Sequence, residues 1–272
     1  MKVELVKRCD EVTRILAARA TFSLAQLRGS SSNQIACIGY PKSGTSWMAK
    51  LLGGYFAIPE PSFYHVPVLR SAVLHGHRFT GSRVPTVYIV RDPRDVYISL
   101  YFHRCRMLIG DKNPRYRTAL LSRYEVLPAP FVPEHFSENF FGFVELELES
   151  PRDVRIPWNE HVSWSQRQLN VGRSSYVEVL YEDLVANPKG ELQRVVEAME
   201  PGSAADSDAM KATVEQNSFE ALSGGRQSGE TDETSFFRSG SAGGWREMLS
   251  DQSLELIAAK CGPQMSRLGY GN

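Results

Sequence analysis

Cysteine is scarce in this sequence, and no two cysteines lie close together. The four are Cys9, Cys37, Cys105 and Cys261, without a CxxC pair. Such scattered cysteines do not form the framework of a small disulfide-rich domain, and their spacing does not match that of zinc ligands. We therefore expect free thiols in a reducing cytoplasm and no bound metal.

An excess of charge of one sign and long apolar runs are also lacking. The 31 Lys and Arg residues balance 31 Asp and Glu residues. A neutral chain is not typical of a nucleic-acid-binding protein. No segment reaches the roughly 18 apolar residues of a membrane span, and charges interrupt the N-terminal segment where a signal peptide would be apolar. With 42% hydrophobic residues, the composition predicts a soluble, cytoplasmic, globular protein.

Three short apolar runs predict buried β-strands, at residues 35–39, 84–90 and 175–180. Helical periodicity begins at Ser46 after the first run and covers residues 95–106 after the second. Strands that alternate with helices indicate βαβ units and a parallel sheet. We therefore predict an α/β fold, with a central parallel sheet flanked by helices, in one domain over residues 1–272.

Three segments outside this pattern carry predictions of their own. Apolar residues at helical spacing predict an N-terminal helical extension over residues 1–32. Residues 108–135 contain four prolines, and residues 220–237 are rich in glycine and polar side chains, so both predict mobile loops. For loops of this length, a disordered surface segment and a lid over a binding site both remain open.

The segment Gly39–Trp47 carries the strongest functional signal, because it joins a strand to a helix through a glycine-containing loop. Backbone N–H groups and the helix dipole favour an anion at such a place. The loop adds one cation and three hydroxyl groups: Lys42, Ser43, Thr45 and Ser46. Gly39 and Gly44 have the Walker A spacing, but Thr45 occupies the lysine position. This loop predicts phosphate binding without the features of a nucleoside triphosphate site.

The heptapeptide Pro-Lys-Ser-Gly-Thr-Ser-Trp after a strand resembles the 5′-phosphosulfate loop of sulfotransferases that use 3′-phosphoadenosine 5′-phosphosulfate (PAPS). The segment 90–101 resembles the 3′-phosphate segment of that family, which implies that Arg91 and Ser99 hold the 3′-phosphate. The segment 237–246 resembles its C-terminal R-K-G-x-x-G-D-W-[KR] segment. The first three positions of that pattern fall on Arg238, Ser239 and Gly240, with Ser239 in place of the lysine and Gly244 in place of the aspartate.

Two shorter segments extend the resemblance to residues 33–270. Tyr181 begins a Tyr-Glu-Asp-Leu segment, and Asn217-Ser218-Phe219 resembles the family's Thr-Ser-Phe segment. They imply an adenine pocket in which Trp47 stacks on the base. The family fold is a P-loop-like, three-layer α/β fold. The implied cofactor-binding set is Lys42, Ser43, Gly44, Thr45, Ser46, Trp47, Arg91, Ser99, Tyr181, Ser218, Phe219, Arg238, Ser239 and Gly240.

The resemblance implies in-line transfer of the sulfuryl group of PAPS to a hydroxyl of a small organic molecule or glycoconjugate. Adenosine 3′,5′-bisphosphate is the product, and no metal is required. Lys42 would stabilise the leaving phosphate, and His77 falls on the position of the general base. His75 takes the place of the family lysine, so His75 as the base and a metal-binding His-x-His pair remain open. Ser99 is the third catalytic candidate, because contact with both Lys42 and the 3′-phosphate would delay the lysine until the acceptor binds.

Two other functions remain open. A P-loop-type kinase would use Asp92 on Mg²⁺ or on the acceptor, and a non-catalytic module would bind 3′-phosphoadenosine nucleotides without turnover. His161 lies in a segment that resembles a structural segment of the family, so helix packing is its expected role. The turn over residues 91–95 could alternatively be a solvated charged turn. Acceptor identity and oligomeric state are not predicted.

Overall fold

The computed structural model describes residues 34–60, 71–77, 84–110, 114–152, 154–170, 176–202 and 205–271. The predicted N-terminal helical extension lies outside these residues. The chain divides into two compact units. The sheet unit contains the described residues among 34–39, 44–90 and 165–217, and the helical unit contains the described residues among 40–43, 91–164 and 218–271.

The described elements follow one another along the chain as strands and helices. The strands are β1 (Gln34–Gly39), β2 (Ala72–Gly76), β3 (Thr86–Val90) and β4 (Tyr176–Leu180). The helices are α1 (Thr45–Tyr55), α2 (Pro93–Gly110), α3 (Pro114–Tyr124), α4 (Phe136–Glu149), α5 (Trp158–Asn170), α6 (Tyr181–Ala186), α7 (Pro188–Met199), α8 (Ser207–Gln216), α9 (Phe219–Ser223), α10 (Trp245–Met248) and α11 (Asp251–Arg267). A short 3₁₀ turn, Pro133–His135, precedes α4.

In the sheet unit, the four strands form one parallel sheet in the order β2-β1-β3-β4. β1 and β3 are buried along their whole length, as expected for central strands of a parallel sheet. The core packs small and branched strand residues against the apolar face of α1, including Cys37, Val87, Met48, Leu51 and Leu52. Because the carboxyl ends of parallel strands meet at one edge, the residues that follow β1 and β3 are placed where α/β folds bind ligands.

The predicted parallel sheet with flanking helices is confirmed, and each predicted strand is present with a boundary shifted by one or two residues. β2 was not predicted. It is a five-residue edge strand that pairs with β1 and ends in His75 and Gly76, so its apolar run is too short to stand out.

The predicted loop over residues 108–135 is wrong in its middle, because residues 114–124 form α3. Pro114 occupies the first helical position, where a missing N–H is harmless. Leu120 and Tyr124 are buried one turn apart. The predicted loop over residues 220–237 begins inside α9, whose last residue, Ser223, is followed by a capping Gly224 with a left-handed φ of 78°. Residues 224–237 contain no helix or strand, and their mobility stays a prediction.

Candidate functional site

The second half of the phosphate loop is built around a glycine whose conformation and surroundings both exclude a side chain. Gly44 caps α1 with a φ of 97°, and its carbonyl accepts from the N–H groups of Trp47 and Met48 at 3.0 and 3.1 Å. A Cβ on Gly44 would lie 2.6 Å from Cδ2 of Tyr181. Glycine therefore brings the start of α1, with its N–H groups and the hydroxyls of Thr45 and Ser46, against the Tyr181 ring.

The Trp47 indole is held in the sheet unit by one hydrogen bond and one ring contact. Its Nε1 donates to the backbone carbonyl of Asn217 at 2.8 Å, and its ring meets Tyr181 edge-on at 6.1 Å. The Asn217 side chain instead donates to the carbonyl of Thr213. Because the backbone of residue 217 holds the indole, the departure of Asn217 from the family threonine does not remove this contact.

His77 follows β2, and one of its ring nitrogens is anchored to the end of β1. Nδ1 lies 2.8 Å from the carbonyl oxygen of Gly39. A carbonyl can only accept, so Nδ1 carries the proton and Nε2 of the neutral ring carries a lone pair. This tautomer is the one that a general base needs.

The other histidines have different surroundings. His75, on β2 opposite Cys37, is half-buried, and burial lowers its pKa while Glu60 opposes that effect. His161 is fully buried and its ring meets Tyr40 edge-on at 5.5 Å, which agrees with a packing role. Within the described ranges, no group of three His, Cys, Asp or Glu side chains is arranged to hold a metal ion.

In the helical unit, Arg91 is fixed from several sides. Its Nη2 donates to the carbonyl of Ser241 at 3.0 Å and lies 3.9 Å from a carboxylate oxygen of Asp95. Its Nη1 lies 3.5 Å from the carbonyl of Lys42, and its own carbonyl accepts from Nε1 of Trp158 at 3.1 Å. The guanidinium is thereby held beside the first half of the phosphate loop.

The charged turn at residues 91–95 is not solvated, because its four charged residues are only 1–6% exposed. Arg94 forms a fork with Asp92, stacks 3.6 Å over the Trp245 ring and donates to the carbonyl of Gly271. Asp95 accepts from the N–H groups of Gly243 and Trp245 at 2.6 and 3.1 Å. These contacts tie the turn to the C-terminal segment, and Asp95 supplies a carboxylate where the family aspartate is replaced by Gly244.

Lys42 lies at the centre of a cluster of cations in the helical unit. It has a left-handed φ of 71°, and its Nζ lies 4.3 Å from the centroid of the Phe236 ring. Burial, reinforced by four nearby guanidinium groups, lowers the pKa of Lys42 to about 7. In order of effect the four are Arg106, Arg91, Arg104 and Arg238. So many cations around one amine form a site for an anion with several negative charges.

The predicted 3′-phosphate residues lie in the same unit. Arg238 places its guanidinium 5.4 Å from the Phe102 ring, and buried Ser239 accepts at Oγ from the Ser241 hydroxyl. Gly240 has a φ of 62°, and a Cβ there would collide with the Phe219 ring. Glycine at position 240 is thus required by both conformation and space.

Ser218 uses its hydroxyl to cap α9 by accepting from the N–H of Ala221.

Ser99 is buried on α2, and its side chain makes no hydrogen bond to Lys42 in the described structure. The same helix carries a residue that the motifs do not include. Arg106 lies seven residues after Ser99, with His103 between them, so the three share one helix face. That spacing was the signal that could have identified Arg106.

Arg226 and Phe236 were also missed. Arg226 donates to the carbonyls of Glu230, Phe237 and Arg238, and so it holds the segment 226–238 together. Phe236 is 43% exposed and lies over Lys42. Neither residue belongs to a motif. Their contacts depend on how this irregular segment folds, so the sequence carries no pattern that would have identified them. None of the helices in the described ranges is long and apolar enough to cross a membrane.

The chain is similar in sequence to sulfotransferases from animals and plants. It is 24% identical over 256 residues to Sulfotransferase 2B1 of Rattus norvegicus, an alignment that covers 79% of this chain and 65% of the rat protein. It is 23% identical over 271 residues to Cytosolic sulfotransferase 12 of Arabidopsis thaliana, with 83% of this chain and 75% of that protein covered. The chain thus spans about two thirds of the rat protein's length.

The fold is similar to that of solved sulfotransferase structures. Mouse sulfotransferase SULT7A1 complexed with PAP superposes with a TM-score of 0.60 at 19% identity, over 87% of this chain and 85% of that one. Retinol dehydratase in a complex with retinol and PAP gives a TM-score of 0.61 at 16% identity, over 86% and 81%. The model of the sulfotransferase domain family matches residues 74–269. Because this match covers more than half of the chain, the chain belongs to the sulfotransferase domain family.

Proposed function

We propose that this chain is a PAPS-dependent sulfotransferase that acts on a hydroxyl group of a small acceptor. The observation that carries the proposal is the cluster of cations around Lys42. Along the chain, Lys42 is followed after one residue by Gly44, which caps the start of α1. Such a combination suits a ligand with phosphate and sulfate groups. Family membership supports the same reaction class.

The residues present fit the nucleotide. Ser43 Oγ is buried and has no hydrogen-bond partner among the described residues, so it can serve an anionic oxygen. We assign the phosphosulfate to residues 42–46, the 3′-phosphate to Arg91, Ser99 and residues 238–240, and the adenine to Trp47, Tyr181, Ser218 and Phe219. PAPS, when bound, supplies the sulfuryl group and the bisphosphate leaving group.

Lys42 changes its charge state as the anion binds. With a pKa of about 7, the amine is only partly protonated at neutral pH in the free protein. An adjacent anion favours the charged form, so Lys42 takes up a proton and holds a full positive charge where negative charge develops on the leaving oxygen. Burial and the positive neighbours, which together lower the pKa of Lys42 in the free protein, thus make this charge dependent on the ligand.

His77 receives the proton of the acceptor hydroxyl at Nε2. The bond from Nδ1 to the Gly39 carbonyl fixes this tautomer and stabilises the imidazolium that forms. His75 is the weaker candidate, because it is held within β2 and burial disfavours its protonated form. Buried free thiols at Cys37, Cys105 and Cys261 support the proposed cytoplasmic location.

The kinase alternative is weakened by the contacts of Asp92. Both of its carboxylate oxygens accept from Arg94 at 2.8 to 3.1 Å, which occupies the group that a kinase would direct at Mg²⁺ or at the acceptor. The non-catalytic module is supported by Ser239, which supplies no charge to the 3′-phosphate. An activity assay separates these functions.

The test is transfer of label from ³⁵S-PAPS to a panel of phenols, alcohols and sugar hydroxyls, beside γ-³²P-ATP with Mg²⁺. We expect ³⁵S-labelled products with the wild type and loss of label with Lys42→Met, while Lys211→Met on the exposed face of α8 retains activity. Transfer of ³²P would establish a kinase instead. Binding of PAPS without product from any acceptor would favour the non-catalytic module.

A further inference from the structure

Arg106 stands out because it joins the cation cluster without belonging to any motif of the nucleotide site. It lies on α2, on the face that carries Ser99 and His103. Its Cζ is 5.7 Å from the centroid of the Phe236 ring, the same ring that lies 4.3 Å from Lys42 Nζ. The two cationic groups are therefore within 10 Å of each other.

The contacts of Arg106 leave its charge uncompensated. Its Nη2 donates to Nδ1 of His103 at 3.1 Å, so that neighbour is a neutral ring with its proton on Nε2. Its Nε is buried without a hydrogen-bond partner among the described residues, and no carboxylate of those residues lies within 4.0 Å of it. A guanidinium that is partly desolvated and unpaired is costly unless an anion binds to it.

The nucleotide assignment proposed above does not use the charge of Arg106. The proposed assignment uses Lys42, Arg91 and Arg238 for the phosphosulfate and the 3′-phosphate, which leaves Arg106 as a surplus cation beside the amine at the transferred group. Of the four arginines near Lys42, Arg106 has the largest effect on its pKa. The Phe236 ring, which is 43% exposed, borders both groups.

We propose that Arg106 binds an oxyanion of the acceptor, so that the preferred substrate is a hydroxyl compound that also carries a carboxylate, sulfate or phosphate group. The inference rests on the proposed sulfotransferase function and adds a substrate class to it. The guanidinium fork pairs with the oxyanion through two N–H groups, and Lys42 lies close enough for one small molecule to present its hydroxyl near the amine.

The test compares isosteric acceptors that differ only in charge, 3- and 4-hydroxybenzoate against 3- and 4-hydroxybenzamide. Binding is measured by calorimetry on protein saturated with adenosine 3′,5′-bisphosphate, and transfer is measured with PAPS. We expect the carboxylates to bind at least about tenfold more tightly than the amides, as for a hydrogen-bonded charge pair. Arg106→Gln should abolish that preference, and Arg106→Lys should retain part of it.

The matched control is Arg117→Gln, which removes the same charge from an exposed position of α3. It should leave the carboxylate preference unchanged. Equal binding of carboxylates and amides by the wild type, or a preference that survives in Arg106→Gln, would overturn the proposal. So would an Arg106→Gln variant that loses affinity for the bisphosphate instead, because Arg106 would then serve the nucleotide. Failure of the wild type to bind the bisphosphate would overturn the sulfotransferase function as well.

Discussion

Replacing Gly44 with alanine should destabilise the protein far more than the same change at Gly224. Both glycines cap helices with a left-handed φ, 97° at Gly44 and 78° at Gly224. They differ in the room available for a side chain, because a Cβ on Gly44 would lie 2.6 and 2.9 Å from two carbons of the Tyr181 ring. A Cβ on Gly224 would have nothing within 4 Å.

The expected magnitudes follow from these two contributions. A left-handed conformation costs an alanine roughly 1–2 kcal/mol at either position. The collision with Tyr181 adds about 1–3 kcal/mol at Gly44 alone, as is usual for overpacking in a closed interior. Alanine restricts the unfolded chain equally at both positions, so that effect cancels in the comparison. Gly44→Ala should therefore lose about 2–5 kcal/mol of unfolding free energy, and Gly224→Ala about 1–2 kcal/mol.

Urea denaturation of the two variants and the wild type measures the difference, provided that the slope with urea is unchanged. A third variant, Gly44→Ala with Tyr181→Ala, removes the ring that causes the collision. Its loss should be smaller than the sum of the two single losses by about 1–3 kcal/mol, as for residues in direct contact. Equal losses for Gly44→Ala and Gly224→Ala, or strict additivity with Tyr181→Ala, would refute the close approach of the loop to Tyr181.

Three further predictions concern the charged and catalytic groups. Binding of adenosine 3′,5′-bisphosphate at pH 8 should be accompanied by the uptake of up to one proton, because the pKa of Lys42 rises from about 7 when the anion binds. Calorimetry in two buffers of different ionisation enthalpy measures this uptake, and Lys42→Met should abolish it. Arg94→Met should cost about 3–5 kcal/mol of unfolding free energy, since it removes the guanidinium that pairs with the buried Asp92 carboxylate. A loss below about 1 kcal/mol in urea denaturation would contradict the buried network. His77→Gln should lower kcat by about 10²–10⁴-fold with unchanged bisphosphate affinity. A larger loss of kcat in His75→Gln would identify His75 as the general base instead.

The sequence predicted most of the sheet and the phosphate loop, because these depend on short-range patterns. Buried strands such as β1 and β3 are continuous apolar runs, and the loop is recognisable from its glycines and its displaced lysine. The edge strand β2 was missed, since a five-residue strand that ends in His75 and Gly76 has little apolar signal. The helix α3 was missed because prolines on either side of it suggested a loop.

The burial of the charged turn at residues 91–95 could not be predicted from local sequence. Its partners, Trp245 and the carbonyl of Gly271, lie about 150 or more residues further along the chain. A run of alternating charges is usually solvated, but here these distant contacts help to bury it. Arg106 is an intermediate case, because its helical spacing from Ser99 was visible while its ring contact with Phe236 was not.

The central claim is that Arg91 and its neighbours recognise a 3′-phosphorylated adenosine nucleotide. Calorimetric titration of the wild type with adenosine 3′,5′-bisphosphate, ADP and 5′-AMP tests it most directly, with Arg91→Ala beside Arg117→Ala as the matched loss of one charge. We expect the wild type and Arg117→Ala to bind the bisphosphate selectively, and Arg91→Ala to bind it at least about tenfold more weakly. Equal affinity of the wild type for the three nucleotides, or full selectivity in Arg91→Ala, would contradict the account.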